Sequence, residues 1–211
     1  MIEQHAAKPV VAAFDFDGTL TRRDTLFPFL LYAAGPVKFF YNILLLSPTL
    51  AAYALGFLRN DLAKNKVLHC FLAHKNMTTL QQLAINFAAL KLPKLLRSEA
   101  MQRLHWHQQQ GHRCVVVSAS LEIYLQPWAS KIGIEDVLGS KLAMHFNGTY
   151  SGNLDGENCF GIVKMQRLEA LLGSRNGYTL YAYGDSRGDK ELLSAADFPF
   201  YKSFTKQGLH S

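Results

Sequence analysis

Cysteine is scarce in this chain. Cys70, Cys114 and Cys159 are the only three among 211 residues, far apart and without a C-x-x-C pair. An odd, scattered set speaks against a disulfide framework and against a zinc site, and it suits a reducing, cytoplasmic compartment. Basic runs interleaved with aromatics are missing as well: Lys and Arg come singly or in pairs such as Arg22-Arg23, which argues against a nucleic-acid partner. Residues 1–9 have no basic-then-apolar order, so no export signal is read there. There are no repeats or low-complexity tracts. Acidic residues are the scarcer charge, 16 against 22 basic ones, and the net +6 suits anionic partners without choosing among them.

With 49% hydrophobic residues, a chain of this length can bury one full core and a smaller appended unit. Val10-Val11-Ala12-Ala13-Phe14 is an unbroken apolar run that stops at Asp15, and it reads as a buried strand. Cys114-Val115-Val116-Val117 stops in the same way at Ser118-Ala119-Ser120, and Thr179-Leu180-Tyr181-Ala182-Tyr183 at Gly184-Asp185. Ile162, Met165, Leu168 and Leu171 recur at helical spacing, with Lys164 in the first turn. Strands alternating with helices predict an α/β fold with a doubly wound, Rossmann-like parallel sheet. Almost a hundred residues separate the first two strands, and they read as helices at 26–34, 39–58, 61–74, 79–90 and 94–110. The expected division is an α/β core from residues 1–21 and 111–211, with an inserted all-helical cap from 22–110. Asn147-Gly148 between aromatics predicts a small hairpin near 146–152.

Residues 39–58 carry no charge and lie between Lys38 and Arg59, long enough to cross a bilayer. A single crossing would part Asp15 from Ser118, Lys164 and Asp185, so it is rejected on topology. Ser47-Pro48 is expected to break the segment into a helical hairpin, either buried in the cap or resting in a membrane interface. The buried cap hairpin is the favoured reading.

In parallel sheets ligands bind at the carboxyl ends of the strands, so the three polar strand ends should converge. Asp15-Phe16-Asp17-Gly18-Thr19 holds two acids at one of those ends. Two neighbouring carboxylates repel each other and a phosphate dianion unless a cation such as Mg²⁺ lies between. Asp185 supplies a third. Singly, Asp185 and Asp189 read as helix caps, Lys164 as a solvated helix residue, and Ser118 as a strand-end turn. The histidines, including His105, His107 and His112, are given no role, and Trp106 and Trp128 are assigned to packing.

Four motifs in order, Asp15 to Thr19, Ser118, Lys164, and Gly184-Asp185-Ser186-Arg187-Gly188-Asp189, resemble the haloacid dehalogenase superfamily, specifically its phosphoserine-phosphatase-like branch with a helical cap. The resemblance implies Asp15 as nucleophile and Asp17 as acid and then base. It implies Mg²⁺ on Asp15, Asp185 and the backbone carbonyl of Asp17. Lys164, Ser118 and the Ala119 N–H would bind the phosphoryl group, and Asp189 would orient Lys164 or a metal-bound water. In the cap, Asp24 and Lys66 fall where phosphoserine phosphatases carry glutamate and arginine; both depart from that pattern and argue against phosphoserine. The expected activity is hydrolysis of a small phosphomonoester in the cytoplasm. The alternative is a lipid-phosphate phosphatase at the inner membrane face, because relatives of the phosphatidylglycerophosphatase C type share an apolar cap segment. A binding protein that has kept the fold without turnover is the third reading, weakened by the complete motif set.

Overall fold

A computed structural model of the chain describes residues 8–204. Most of the stretch read as carrying no export signal lies outside the described residues. The elements run β1 (Val10–Phe14), α1 (Leu26–Ala34), α2 (Pro36–Ala54), α3 (Asn60–Leu72), α4 (Met77–Leu90), α5 (Ser98–Gln109), β2 (Arg113–Leu121), α6 (Glu122–Lys131), β3 (Asp136–Met144), β4 (Tyr150–Asp155), α7 (Ile162–Leu172), β5 (Thr179–Gly184), α8 (Lys190–Ala195) and β6 (Phe198–Tyr201). The sheet order is β4-β3-β2-β1-β5-β6, with β4 antiparallel and the rest parallel. β1, the first apolar run of the sequence, is central, because a strand buried on both faces needs side chains that are apolar throughout.

Alternation along the strands divides the core in two. Val11, Ala13, Val115, Val117, Leu180 and Ala182 pack with Met165 and Leu168 of α7 and Leu192 of α8. Ala12, Phe14, Val116 and Tyr183 face the other way, with Leu104 of α5 and Leu125 and Trp128 of α6. Helices thus cover both faces, as a doubly wound sheet requires.

The helices between β1 and β2 share that second cluster rather than forming a core of their own. Phe29 of α1, Phe87 of α4 and Tyr124 of α6 meet with ring centroids 5.0 to 5.5 Å apart. Such aromatic pairs add about 0.5–1.5 kcal/mol each beyond burial, which ties the insertion to the sheet. α3 lies along β4. α5, read from sequence with the insertion, sits on the sheet itself: its His107 is fully buried, and its Nε2 is 2.9 Å from the Tyr183 hydroxyl. The hairpin is present as β3 and β4, turned through Asn147-Gly148, where Gly148 has φ +76° and Asn147 Oδ1 accepts from Thr149 N at 3.1 Å.

The expected break at Ser47-Pro48 does not occur. α2 is one continuous helix with Pro48 inside it, and most of its surface is exposed rather than buried. Proline has no N–H for the carbonyl of Leu44, one turn back. The Ser47 hydroxyl, 2.8 Å away, donates to that carbonyl instead. The buried-hairpin reading is therefore corrected to a single helix that is open on one side. It is the one helix among the described residues long and apolar enough to cross a membrane by length and composition.

Candidate active site

β1 ends at Asp15 and the chain turns at once. Asp17 (φ −74°, ψ 122°) and Gly18 (φ +81°, ψ −19°) have the dihedrals of a type II turn, which needs glycine at its second centre. A Cβ on Gly18 would lie 2.3 Å from Asp185 Oδ2, so the turn also brings β1's end against β5's end. The Thr19 hydroxyl lies between the two acids, 3.4 Å from Asp15 Oδ2 and 3.3 Å from Asp185 Oδ1.

The first turn of α7 delivers Lys164 from below. Its Nζ donates to Asp15 Oδ1 at 2.6 Å and to Asp189 Oδ1 at 2.5 Å, all three groups being buried. Burial works against the lysine's charge, but the two carboxylates outweigh it and raise the ammonium's pKa. Asp189 Oδ2 accepts from the backbone N–H groups of Asp185 and Ser186 and from the Ser186 hydroxyl, at 2.9 to 3.1 Å. Asp189 therefore spends both oxygens on the chain, holding Lys164 and the loop after β5.

Oxygens of Asp15, Asp185 and Asp189 lie within 4.8 Å of one another. Burial pushes the Asp15 carboxyl up to about 6, with Lys164 opposing and Asp189 adding to the shift. Asp185 is likewise raised, by burial and then by Asp189. Asp15 and Asp185, both held towards neutrality by burial and like charge, are hard oxygen donors of the kind a small divalent cation satisfies, with Asp189 behind them already committed to the chain.

The Asp17 carboxylate points elsewhere. Oδ1 accepts from Thr25 N at 3.0 Å and Thr25 Oγ1 at 2.7 Å, and Oδ2 from Ser120 Oγ at 2.5 Å. Burial, and then the charge of Asp24, push it up to about 7 against those hydrogen bonds. The side chain is held at the cleft by Thr25 and Ser120.

Ser118 is buried where β2 leaves its ladder: Val117 pairs with Leu138 and the next pairing is Leu121 with Ser140. The strand thus extends beyond the expected stop, with 118–120 bulged out of register. The Ser118 Oγ accepts from Ser120 N at 3.2 Å. Bulges of this kind re-aim side chains beside functional sites.

A cleft opens beside Asp17, lined by Asp24, Leu26, Phe27, Leu50, Tyr53, Lys64 and Asn158 among others. Asp24 is at its rim, its Oδ1 accepting from Leu26 N at 2.9 Å and so capping α1. Lys66 is exposed on α3 and does not line the cleft; Lys64, two residues earlier, does. Lys64 Nζ reaches Asn158 Oδ1 at 2.8 Å, Ser140 Oγ at 3.4 Å and the carbonyl of Ala119, and burial brings its pKa down to about 8. The loose sequence register missed this by half a helical turn, because on an amphipathic helix a shift of two residues moves a side chain to the opposite face. Thr19, Thr25 and Ser120 were missed too. The DxDGT stretch itself signalled Thr19, and the polar end of the second strand Ser120; nothing local marked Thr25.

Asp15, Asp17, Ser118 and Asp185 thus gather at the ends of β1, β2 and β5, with Lys164 reaching them from α7. Residues 12–194 match the haloacid dehalogenase-like hydrolase family, and the chain belongs to it. Protein CicA of Caulobacter vibrioides is 35% identical over 197 residues, spanning 93% of this chain and 87% of that protein. A histidinol-phosphatase of Neisseria meningitidis is 33% identical over 107 residues, 47% of this chain and 48% of its own length. Among solved structures, a Bordetella pertussis Tohama I protein of unknown function superposes with TM-score 0.79 at 22% identity, covering 92% and 90% of the two chains. A substrate-bound phosphoserine phosphatase superposes with TM-score 0.59 at 17% identity, covering 90% and 84%. These two likenesses establish the fold.

Proposed function

We propose that the protein hydrolyses a phosphomonoester through a phosphorylated Asp15. The observation that carries this is the separation of the two acids: Asp15 is held by Lys164, and Asp17 is turned to the cleft with its proton affinity raised. An Asp15 oxygen attacks phosphorus as the bond to the leaving oxygen breaks, and Asp17 gives that oxygen its proton. Water then attacks the acyl phosphate, Asp17 takes the proton back, and Asp15 is released with inorganic phosphate. Ser118 and the Ala119 N–H receive the phosphoryl oxygens, and Lys164 supplies a fixed positive charge. Asp189 positions Lys164.

The acidic cluster fits Mg²⁺, which Asp15, Asp185 and the Asp17 carbonyl would hold. When bound it neutralises phosphoryl charge. An Asp15→Asn variant should release no phosphate from an aryl phosphate in Mg²⁺ buffer, with a loss of at least about 10³-fold; residual turnover near the parent level would overturn the mechanism. Free Cys70, Cys114 and Cys159 support a reducing, cytoplasmic setting.

For the substrate we favour a small phosphomonoester whose second polar group meets Lys64 or Asn158. The names of the histidinol-phosphatase relative and the phosphoserine-phosphatase neighbours support a phosphomonoester, but Asp24, committed to α1, is a poor partner for an amino acid's ammonium. Leu26, Phe27, Leu50 and Tyr53 favour a second reading, a phosphorylated lipid at the inner membrane face. Turnover of a soluble metabolite panel against phosphorylated lipids in detergent separates the two.

A further inference from the structure

The side of α2 turned away from the protein is an apolar stripe. Val37, Tyr41, Leu44, Pro48, Ala51 and Leu55 follow one another at alternating steps of four and three, and all are exposed, Leu44 by 71% and Val37 by 85%. Phe40 and Phe57 widen it, at 65% and 83%. A helix that is apolar all round is normally covered on every side, and a continuous exposed patch of this kind marks an interaction surface. The opposite side of α2 packs on α1 and α3, and Leu50 and Tyr53 line the catalytic cleft. One helix therefore separates the cleft from this open surface.

Charge identifies the occupant. Residues 25–98 hold eight Lys/Arg and a single acid, Asp61, so this segment carries +7 of a chain whose total is +6. That one acid is tied to Arg59 by hydrogen bonds of 3.2 and 2.9 Å. Lys38 lies within α2, and Lys38, Lys66 and Lys91 are exposed. A second copy on the same surface would bring two such +7 segments face to face, which electrostatics opposes. An anionic bilayer suits the apolar stripe, Lys38 on the same helix and the net positive charge of the segment that carries them.

We infer that α2 docks the protein on an anionic lipid bilayer, lying in the plane of the interface with its stripe in the headgroup boundary and the mouth of the cleft beside it. With α1 and α3 on its other side, the helix lies on the membrane and does not cross it. Docking is read without turnover, so it stands or falls separately from the phosphatase reading.

The test is co-sedimentation of the full chain with phosphatidylcholine vesicles containing about a quarter phosphatidylglycerol, at about 0.1 M salt where the Debye length is about 10 Å. The parent should bind these vesicles, bind pure phosphatidylcholine far less, and lose affinity as salt rises. A Tyr41→Ser, Leu44→Ser double variant should bind at least about tenfold more weakly, a loss of about 1.4 kcal/mol, since it takes two large apolar side chains out of the stripe. Its circular dichroism and its hydrolysis of a soluble aryl phosphate should match the parent's, because both side chains are exposed and away from the cleft. Failure of the parent to bind anionic vesicles, or equal binding by the variant, would overturn the proposal. So would a dimer in sedimentation velocity that the variant abolishes while vesicles stay bare.

Discussion

Gly18 shows how one residue can decide a site. It takes φ +81°, and a Cβ there would meet the Asp185 carboxylate at 2.3 to 2.7 Å. Gly18→Ala must both strain the turn and displace an acid of the cluster. The expected outcome is a loss of activity of at least about tenfold with a weaker apparent Mg²⁺ affinity, read from the metal dependence of phosphate release. Lys64 makes a prediction of a different kind. Its partners Ala119, Ser140 and Asn158 are all neutral, and burial lowers its pKa to about 8. Below that value it is a cation facing the cleft, and above it the charge is lost. For a substrate with a second anionic group, KM should rise as pH passes about 8, and Lys64→Met should show the raised KM at all pH values without that limb. A pH-independent KM in the parent would exclude Lys64 from substrate binding. The sequence directed attention to a basic residue in this part of the cap, but only the helix's azimuth tells Lys64 from Lys66.

At the scale of the element, α2 is where sequence rules and structure part. A serine and a proline side by side in mid-segment read as a break because proline removes a hydrogen bond and crowds the preceding turn. The structure keeps the helix by giving the stranded Leu44 carbonyl to the Ser47 hydroxyl. The cost of the proline remains, so Pro48→Ala should stabilise the protein, by up to about 3 kcal/mol on helix propensity. Ser47→Ala in the parent should cost up to about 1 kcal/mol and almost nothing once Pro48 is alanine, because the backbone then bonds Leu44 itself. Thermal unfolding of the four proteins in the cycle measures this coupling, and additive effects would show that the hydroxyl does not substitute for the missing N–H. The packing of α5 on the sheet was not legible for a related reason. Its amphipathic spacing marks a helix with one apolar side, but the pattern does not say whether a cap or a sheet covers that side.

Across the whole molecule, the parallel strands and the polar ends that meet at Asp15 were legible because buried strands are apolar without interruption and stop abruptly at polar residues. The polar stretches of β3, the four-residue, partly exposed and proline-containing β6, and the bulged end of β2 left no such mark. Neither did the group behind the sheet, where His107 Nδ1 lies 2.7 Å from His112 Nδ1 and its Nε2 lies 2.9 Å from the Tyr183 hydroxyl. His107 is fully buried and joins α5 to β5. Burial, and then the charge of Arg103, bring its pKa down to about 3 from the ordinary 6.5. Between those values the unfolded chain takes up a proton that the folded one refuses, so stability is fully present above about pH 6.5 and is lost as pH falls. The slope from this group alone is up to about 1.4 kcal/mol per pH unit. His107→Gln keeps a polar group near Tyr183 and removes the titration. The variant should be less stable than the parent at pH 7.5, where the packing it loses counts in full. It should close the gap as pH is lowered towards 5, because the parent alone then pays for excluding the proton. Denaturant unfolding at several pH values checks this, and parallel curves for the two proteins would show that His107 takes no part in the acid sensitivity of the fold.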